Sequence, residues 1–180
     1  MATGPIRGAV PGPVRGVVHV HSAPAALCPH VEWALAGVLG VPASGELHLA
    51  WTPQPAAPGT LRAELRWQGS PTTAARLASG LRGCRRARFE VTAEPGAGLD
   101  GERYAYTPDL GLFTALTTAS GDVAVPEDRL RAVVAAAAQP GGPPLAAAVA
   151  DLLGAAWDDE LEPFRHAGEG APVRWLHQVG

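Results

Sequence analysis

Four short runs in which apolar and polar side chains alternate, separated twice by stretches of helical periodicity, constrain this chain more than any other feature. "RGVVHVHS" sets Val18 and Val20 against His19 and His21 and reads as a strand. "PHVEWALAGVLG" follows as a helix, with Pro29 in its first turn, Glu32 near its positive end and Gly40 as its stop. Two further runs, "ELHLAWTP" and "LRAELRWQG", place Leu47, Leu49 and Trp51, then Leu61, Ala63, Leu65 and Trp67, on one side each. Both predict half-buried strands. Ser70 and Pro71 open a second helix whose Ala74, Leu77, Ala78 and Leu81 share a face and which Gly83 ends, and "ARFEVTAE" is a fourth strand. The order strand, helix, strand, strand, helix, strand predicts an α+β fold with a ferredoxin-like split βαβ (βαββαβ) core over residues 15–95.

Residues 1–14, rich in Gly and Pro without periodicity, predict a flexible tail, and residues 96–180 an α+β extension packed on the core, the whole forming one structural unit. Within the extension "RYAYTP", "LFTALTT" and "DVAVP" predict three short strands, Pro126 to Ala138 a helix, and "LAAAVADLLG" another. The end, "WDDELEPFRHAGEGAPVRWLHQVG", predicts a loop leading to a strand around Val173 to Val179.

A chain of 180 residues buries a real core without disulfides or metals. It contains no Lys and no Asn and has a single Ile, Ile6, a bias of the kind a GC-rich genome produces. The net charge of −3 divides unevenly: residues 1–100 hold nine Arg against six acids, and residues 101–180 five Arg against eleven acids. Such halves attract each other, and the basic bias is too weak for a nucleic-acid binder. Cys28 and Cys84 make neither a disulfide framework nor a repeated CxxC metal spacing. With no signal peptide and no apolar run long enough to span a membrane, a soluble cytoplasmic protein is expected.

If Val18 and Val20 face the helices, then His19, His21, His48, Arg62, Glu64, Arg66, Arg88 and Glu90 share the opposite face. That face is either covered by the C-terminal half through internal ion pairs, bound by a partner, or used as a catalytic floor; internal pairing is the favoured reading. His19 and His21 are weak metal candidates, since one strand face presents both but Cys28 and His30 lie at the helix entry and no zinc spacing is matched. Cys28, just before Pro29, is a candidate nucleophile with His21 or His30 as base and Glu32 as orienting group, because a helix start lowers a thiol pKa. A small buried thiol is the favoured alternative. "GAGLDG" matches GxGxxG but leads into a strand rather than a helix, and Pro55 with Pro58 matches PxxP inside a stiff hairpin loop; both read as loops.

"RLASGLRGCRRARFE" gathers Arg76, Arg82, Arg85, Arg86 and Arg88 around the end of the second helix. Such a cluster suits a helix C-terminus, and it also suits an acidic protein surface or a phosphate-bearing ligand. Trp157 and Trp175, beside Asp158, Asp159, Glu160 and Glu162, are the C-terminal counterpart. At "HSAPAALCPHVEWALAGVLG", "WTPQPAAPGT", "VPEDRLRA" and "WDDELEPFRHAGEGAPVRWLHQV" the chain resembles an uncharacterised actinobacterial family of unknown function (DUF3145-like) over nearly everything after residue 14. The resemblance brings no activity, cofactor or catalytic residue. Members of that family can be encoded beside genes of type II fatty-acid synthesis, which implies an acidic carrier protein as a visitor to the Arg cluster. The expectation is therefore a non-catalytic binding or regulatory module, without cofactor, whose partner is a protein or an acidic metabolite. A small enzyme built on Cys28, or a His/Cys metal-binding protein, is the alternative.

Overall fold

The computed structural model describes residues 12–41, 46–96 and 98–166. Seven strands form one antiparallel sheet in the order β2-β3-β1-β4-β5-β6-β7, so the protein is α+β. The strands are β1 Val14–Pro24, β2 Thr52–Pro53, β3 Thr60–Gly69, β4 Arg88–Ala93, β5 Gly101–Thr107, β6 Gly111–Thr117 and β7 Val123–Ala124. The helices are α1 Cys28–Leu39, α2 Thr73–Leu81, α3 Glu127–Ala137, α4 Leu145–Leu153 and α5 Ala155–Arg165.

Alternation along β1 decides the layering. Val14, Val18 and Val20 are buried in one core with Phe89 and Val91 of β4 and with Val31, Leu35, Leu77 and Leu81 of α1 and α2. Branched side chains suit the pleat, and apolar positions one helical turn apart supply the matching helix faces. Gly16 is required on β1 because a Cβ there would overlap the Thr92 carbonyl oxygen and the Trp67 indole. At the end of α1, Gly40 adopts φ 69°, and the Val41 N–H reaches back to the Ala36 carbonyl (3.1 Å), closing the helix as the sequence predicts.

Three expectations need correction. The run from Glu46 to Pro53 pairs with β3 only at Thr52 and Pro53. Leu47, Leu49 and Trp51 still pack on the core, but the Leu49 N–H donates to Glu32 Oε1 (2.8 Å), which ties the segment to α1 instead of to a ladder. α2 begins at Thr73; Ser70 and Pro71 form the turn before it, where the Thr73 N–H donates to the Ser70 carbonyl (3.0 Å). The stretch beginning at Trp157 is helix rather than loop. Trp157, Leu161 and Phe164 recur at helical spacing, and Pro163, in the last turn of α5, costs the helix only the one bond its missing N–H would make. The expected strand from Val173 to Val179, with Trp175, lies outside the described residues, as do residues 1–11 of the expected tail; Val14 already begins β1.

β5, β6 and β7 appear where the alternation places them and continue the sheet beyond β4. α3 and α4 pack on each other and bury no residue fully, whereas α5 returns to the sheet face opposite α1 and α2. There Leu161 meets Ala105 and Phe113 in a second, small core.

Candidate functional site

An irregularity in β1 builds the centre of the face beneath α5. Pairing shifts between Val20 and Ala23, so β1 carries an extra residue around His21 relative to both neighbours. A bulge of this kind re-aims side chains. His21 and His19 lie on this face with ring centroids 5.9 Å apart, and His21 Nε2 donates to Glu90 Oε2 (2.7 Å). The carbonyl of His21 is held by Gln54, whose Nε2 donates to it (2.6 Å) and also to the Phe164 carbonyl of α5 (3.1 Å).

Glu90 is the hub. Arg103 donates to its Oε1 through Nε (3.1 Å) and Nη2 (2.8 Å), and Arg165 donates to Oε2 through Nε (3.0 Å) and to Oε1 through Nη2 (2.7 Å). Both guanidiniums also reach Asp158 Oδ1, at 2.5 Å and 2.8 Å. Burial pushes the Glu90 carboxyl up, but hydrogen bonds and charge from His21 and Arg165 outweigh it and hold the group well below the ordinary carboxylate range. Burial likewise pushes Arg103 and Arg165 down, and Glu90 with Asp158 reverses the direction for both. Alongside, Arg88 Nε donates to Glu160 (3.0 Å), and its guanidinium lies 4.8 Å from the Phe164 ring centroid. Arg88 is thus engaged within the molecule, and so is Trp157, whose indole N–H donates to the Gly111 carbonyl (2.9 Å) and whose ring packs on Phe113.

Cys28 is buried at the start of α1, with its sulfur 3.8 Å from the Pro24 carbonyl. Burial pushes its thiol pKa up and the Glu32 charge pushes it further, against a smaller opposing backbone hydrogen bond. A thiol so placed is a poor nucleophile at neutral pH. His30 is exposed, and Glu32 accepts from Leu49 N–H and from the Trp51 indole (2.9 Å), so its carboxylate serves the fold. Among the described residues no group of three or more His, Cys, Asp or Glu side chains is arranged to hold a metal ion. His19 pairs loosely with Glu64 at 3.8 Å, and His48 with Glu46 at 2.9 Å. The GxGxxG match lies in the loop between β4 and β5, with Gly98 at φ 77° and a bridge from Gly96 to Leu99.

Arg76, Arg82, Arg85 and Arg86 are exposed, and none of the four forms an ion pair with another described residue. They lie on and after α2, which packs on α1 where a Cβ at Gly80 would meet Ala34 at 3.9 Å. Trp33, next to Ala34, is 79% exposed. A family model described as a protein of unknown function, DUF3145, matches residues 17–178. The chain belongs to this family. No curated protein and no solved structure matches it.

Sequence reasoning placed His21, Arg88 and Glu90 of this DUF3145 chain on one face but missed Arg103, Arg165 and Gln54. Arg103 was findable, since it alternates against Tyr104 on β5. Gln54 sits among prolines in a loop, with no periodic signal to single it out.

Proposed function

We propose that this DUF3145 protein is a non-catalytic binding module of the cytoplasm whose helix layer receives an acidic partner. The observation that carries the reading is the group of four exposed arginines, Arg76, Arg82, Arg85 and Arg86, free of ion pairs among the described residues and sharing the α1–α2 layer with the exposed Trp33. Unpaired guanidiniums recognise carboxylate and phosphate with directional bonds, and an exposed indole supplies the apolar anchor typical of a binding hot spot. The opposite sheet face is taken up by its own ion pairs, which leaves the helix layer as the better docking surface.

The ferredoxin-like reading of residues 15–95 fits the same picture. Its support is the order β2-β3-β1-β4, with α1 between β1 and β2 and α2 between β3 and β4. Both helices then lie on one side, and the arginines extend from one end of that layer.

The acidic carrier protein implied by the family resemblance is the partner to try first. Titrating a purified acyl carrier protein into the full-length chain should give saturable binding that weakens as salt rises. Replacing Arg82, Arg85 and Arg86 together with Ala should weaken it by about tenfold or more, in line with losing charge-assisted hydrogen bonds, without altering the melting temperature. Equal affinity in the triple variant removes the cluster as the docking site.

A further inference from the structure

The two ends of the sheet are protected in different ways. On β3, Glu64, Arg66 and Gln68 point outward from a strand that β2 covers only at Leu61 and Arg62. Charges on an edge discourage the addition of another strand. At the other end, β7 pairs with β6 only at Leu116 and Thr117, and the remaining edge, Gly111 to Ala115, carries no charge.

β7 ends early for a local reason. Pro126, two residues beyond it, lacks an N–H and opens α3, so the chain turns away from β6 after Ala124. The Thr118 N–H donates to the Asp122 carbonyl (2.9 Å), which puts the main chain of Thr118 and Leu116 on the β7 side. By alternation in an antiparallel ladder, the N–H and C=O groups of Thr114 and Leu112 point the same way, beyond the reach of β7. Two clefts lie along this edge and meet at Thr114 and Arg129. Leu116 and Val125 border one, Leu110 and Leu112 the other, and Asp151 and Leu152 of α4 form the far wall. Arg129 makes no ion pair with a described residue, whereas Glu102 at one end of the groove is engaged by the Tyr104 hydroxyl (3.0 Å).

We infer that the groove between α3–α4 and the edge of β6, which no described residue pairs at Leu112 and Thr114, takes an extended peptide that adds to the sheet there and presents a carboxylate to Arg129. Main-chain bonding to a strand edge gives such a peptide its affinity, and alternate side-chain pockets give its selectivity. The apolar rims at Leu110 and Leu116, 41% and 39% exposed, accept apolar side chains on either side of the acid. This site is separate from the arginine cluster of α2, and neither depends on the other.

A displayed library of random octapeptides, selected on the immobilised full-length protein, tests the inference. The expected result is enrichment of sequences with alternating apolar residues around a central Asp or Glu. A synthetic peptide of the enriched sequence, followed by fluorescence anisotropy, should lose about tenfold in affinity against Arg129→Gln, as for a lost charge-assisted hydrogen bond. N-methylation at alternate backbone positions of the peptide should abolish binding, and this readout leaves the protein unaltered. Replacement of Arg82, Arg85 and Arg86 with Ala should leave it unchanged. Failure of any sequence to enrich, or binding indifferent to both N-methylation and Arg129→Gln, overturns the inference. So does a native mass showing a dimer that Thr114→Pro splits, because the edge is then occupied by a second copy of the chain.

Discussion

Where α1 and α2 cover the sheet, Val18, Val20, Phe89 and Val91 meet Val31, Leu35, Leu77 and Leu81, each 2% exposed or less. Where α5 covers the other face, Glu90, Arg103, Arg165 and His21 fill much of the contact, and the apolar part is confined to Ala105, Phe113 and Leu161 with Trp157 beside them. The first contact gains its stability from area and volume, which involve no titrating group. The second sets the attraction of charges against the cost of desolvating them, so it contributes less stability for its size. Phe89 and Glu90, adjacent on β4 and pointing to opposite faces, allow the two modes to be compared one residue apart.

The largest effect is expected on the apolar side. Phe89→Ala leaves a cavity in a fully buried site and should cost about 3–5 kcal/mol, measured by urea denaturation. Its cost should be the same at pH 7 and at pH 4, since no titrating group is removed. A cost that shrinks on acidification would mean that the two faces unfold as one coupled unit, and the comparison would fail.

Glu90→Gln is the matching break on the charged side. It leaves the half-buried guanidinium of Arg103 with Asp158 and that of Arg165 with Asp158 and Glu162, and should cost about 3 kcal/mol near neutral pH. Its pH dependence has a definite sign. The folded-state pKa of Glu90 lies below that of the unfolded chain, so the stability Glu90 contributes is fully present above the ordinary carboxylate pKa of 4.5 and is lost as pH falls through the lower folded value. The difference between wild type and variant should therefore close on acidification. A constant difference would show that Glu90 acts through shape instead of charge.

These two neighbours also show what the sequence makes legible. Alternation in "ARFEVTAE" assigns Phe89 and Glu90 to opposite faces, and in "RGVVHVHS" it places His19 and His21 beside Glu90. Period-2 patterning is a local property, so it survives without knowledge of the tertiary fold. What closes the charged face was not legible in the same way. Arg165 reaches Glu90 across 75 positions, and it stands on α5, where Pro163 interrupts the helical spacing of Trp157, Leu161 and Phe164. A pairing so distant leaves no periodic trace in one sequence. The segment from Glu46 to Trp51 shows the converse. Its alternation correctly gave the half-buried side chains Leu47, Leu49 and Trp51, yet the backbone partner of Leu49 is Glu32 rather than a strand, because period 2 reports exposure and not hydrogen bonding.

Gln54 joins the β1 bulge to α5, and its removal should have the next largest effect. Gln54→Ala orphans the buried carbonyl of His21 and releases that of Phe164, for an expected cost of about 1–3 kcal/mol. Hydrogen exchange should rise in α5 before it rises in α1 or α2. Uniform exchange across all three helices would show that α5 is no more separable than the rest, and would erase the distinction between the faces.

The smallest effect is expected at His19, on the open part of the charged face. Burial lowers its pKa and the neighbouring His21 lowers it further, with Arg165 adding in the same direction, while Glu64 and Glu90 oppose them without prevailing. The folded protein thus takes up this proton less readily than the unfolded chain, whose His titrates near 6.5. Stability should begin to fall as pH drops through that value, in a window above the one governed by Glu90. His19→Gln should flatten the stability profile between neutral pH and the start of carboxylate titration, and leave the acid limb below it intact. Because the imidazole is 41% exposed, solvent screening keeps the change small, and it is best read as a shift in the shape of the melting temperature against pH. A variant whose profile runs parallel to wild type would place the upper limb elsewhere, and the charged face would then owe its pH sensitivity to the Glu90 cluster alone.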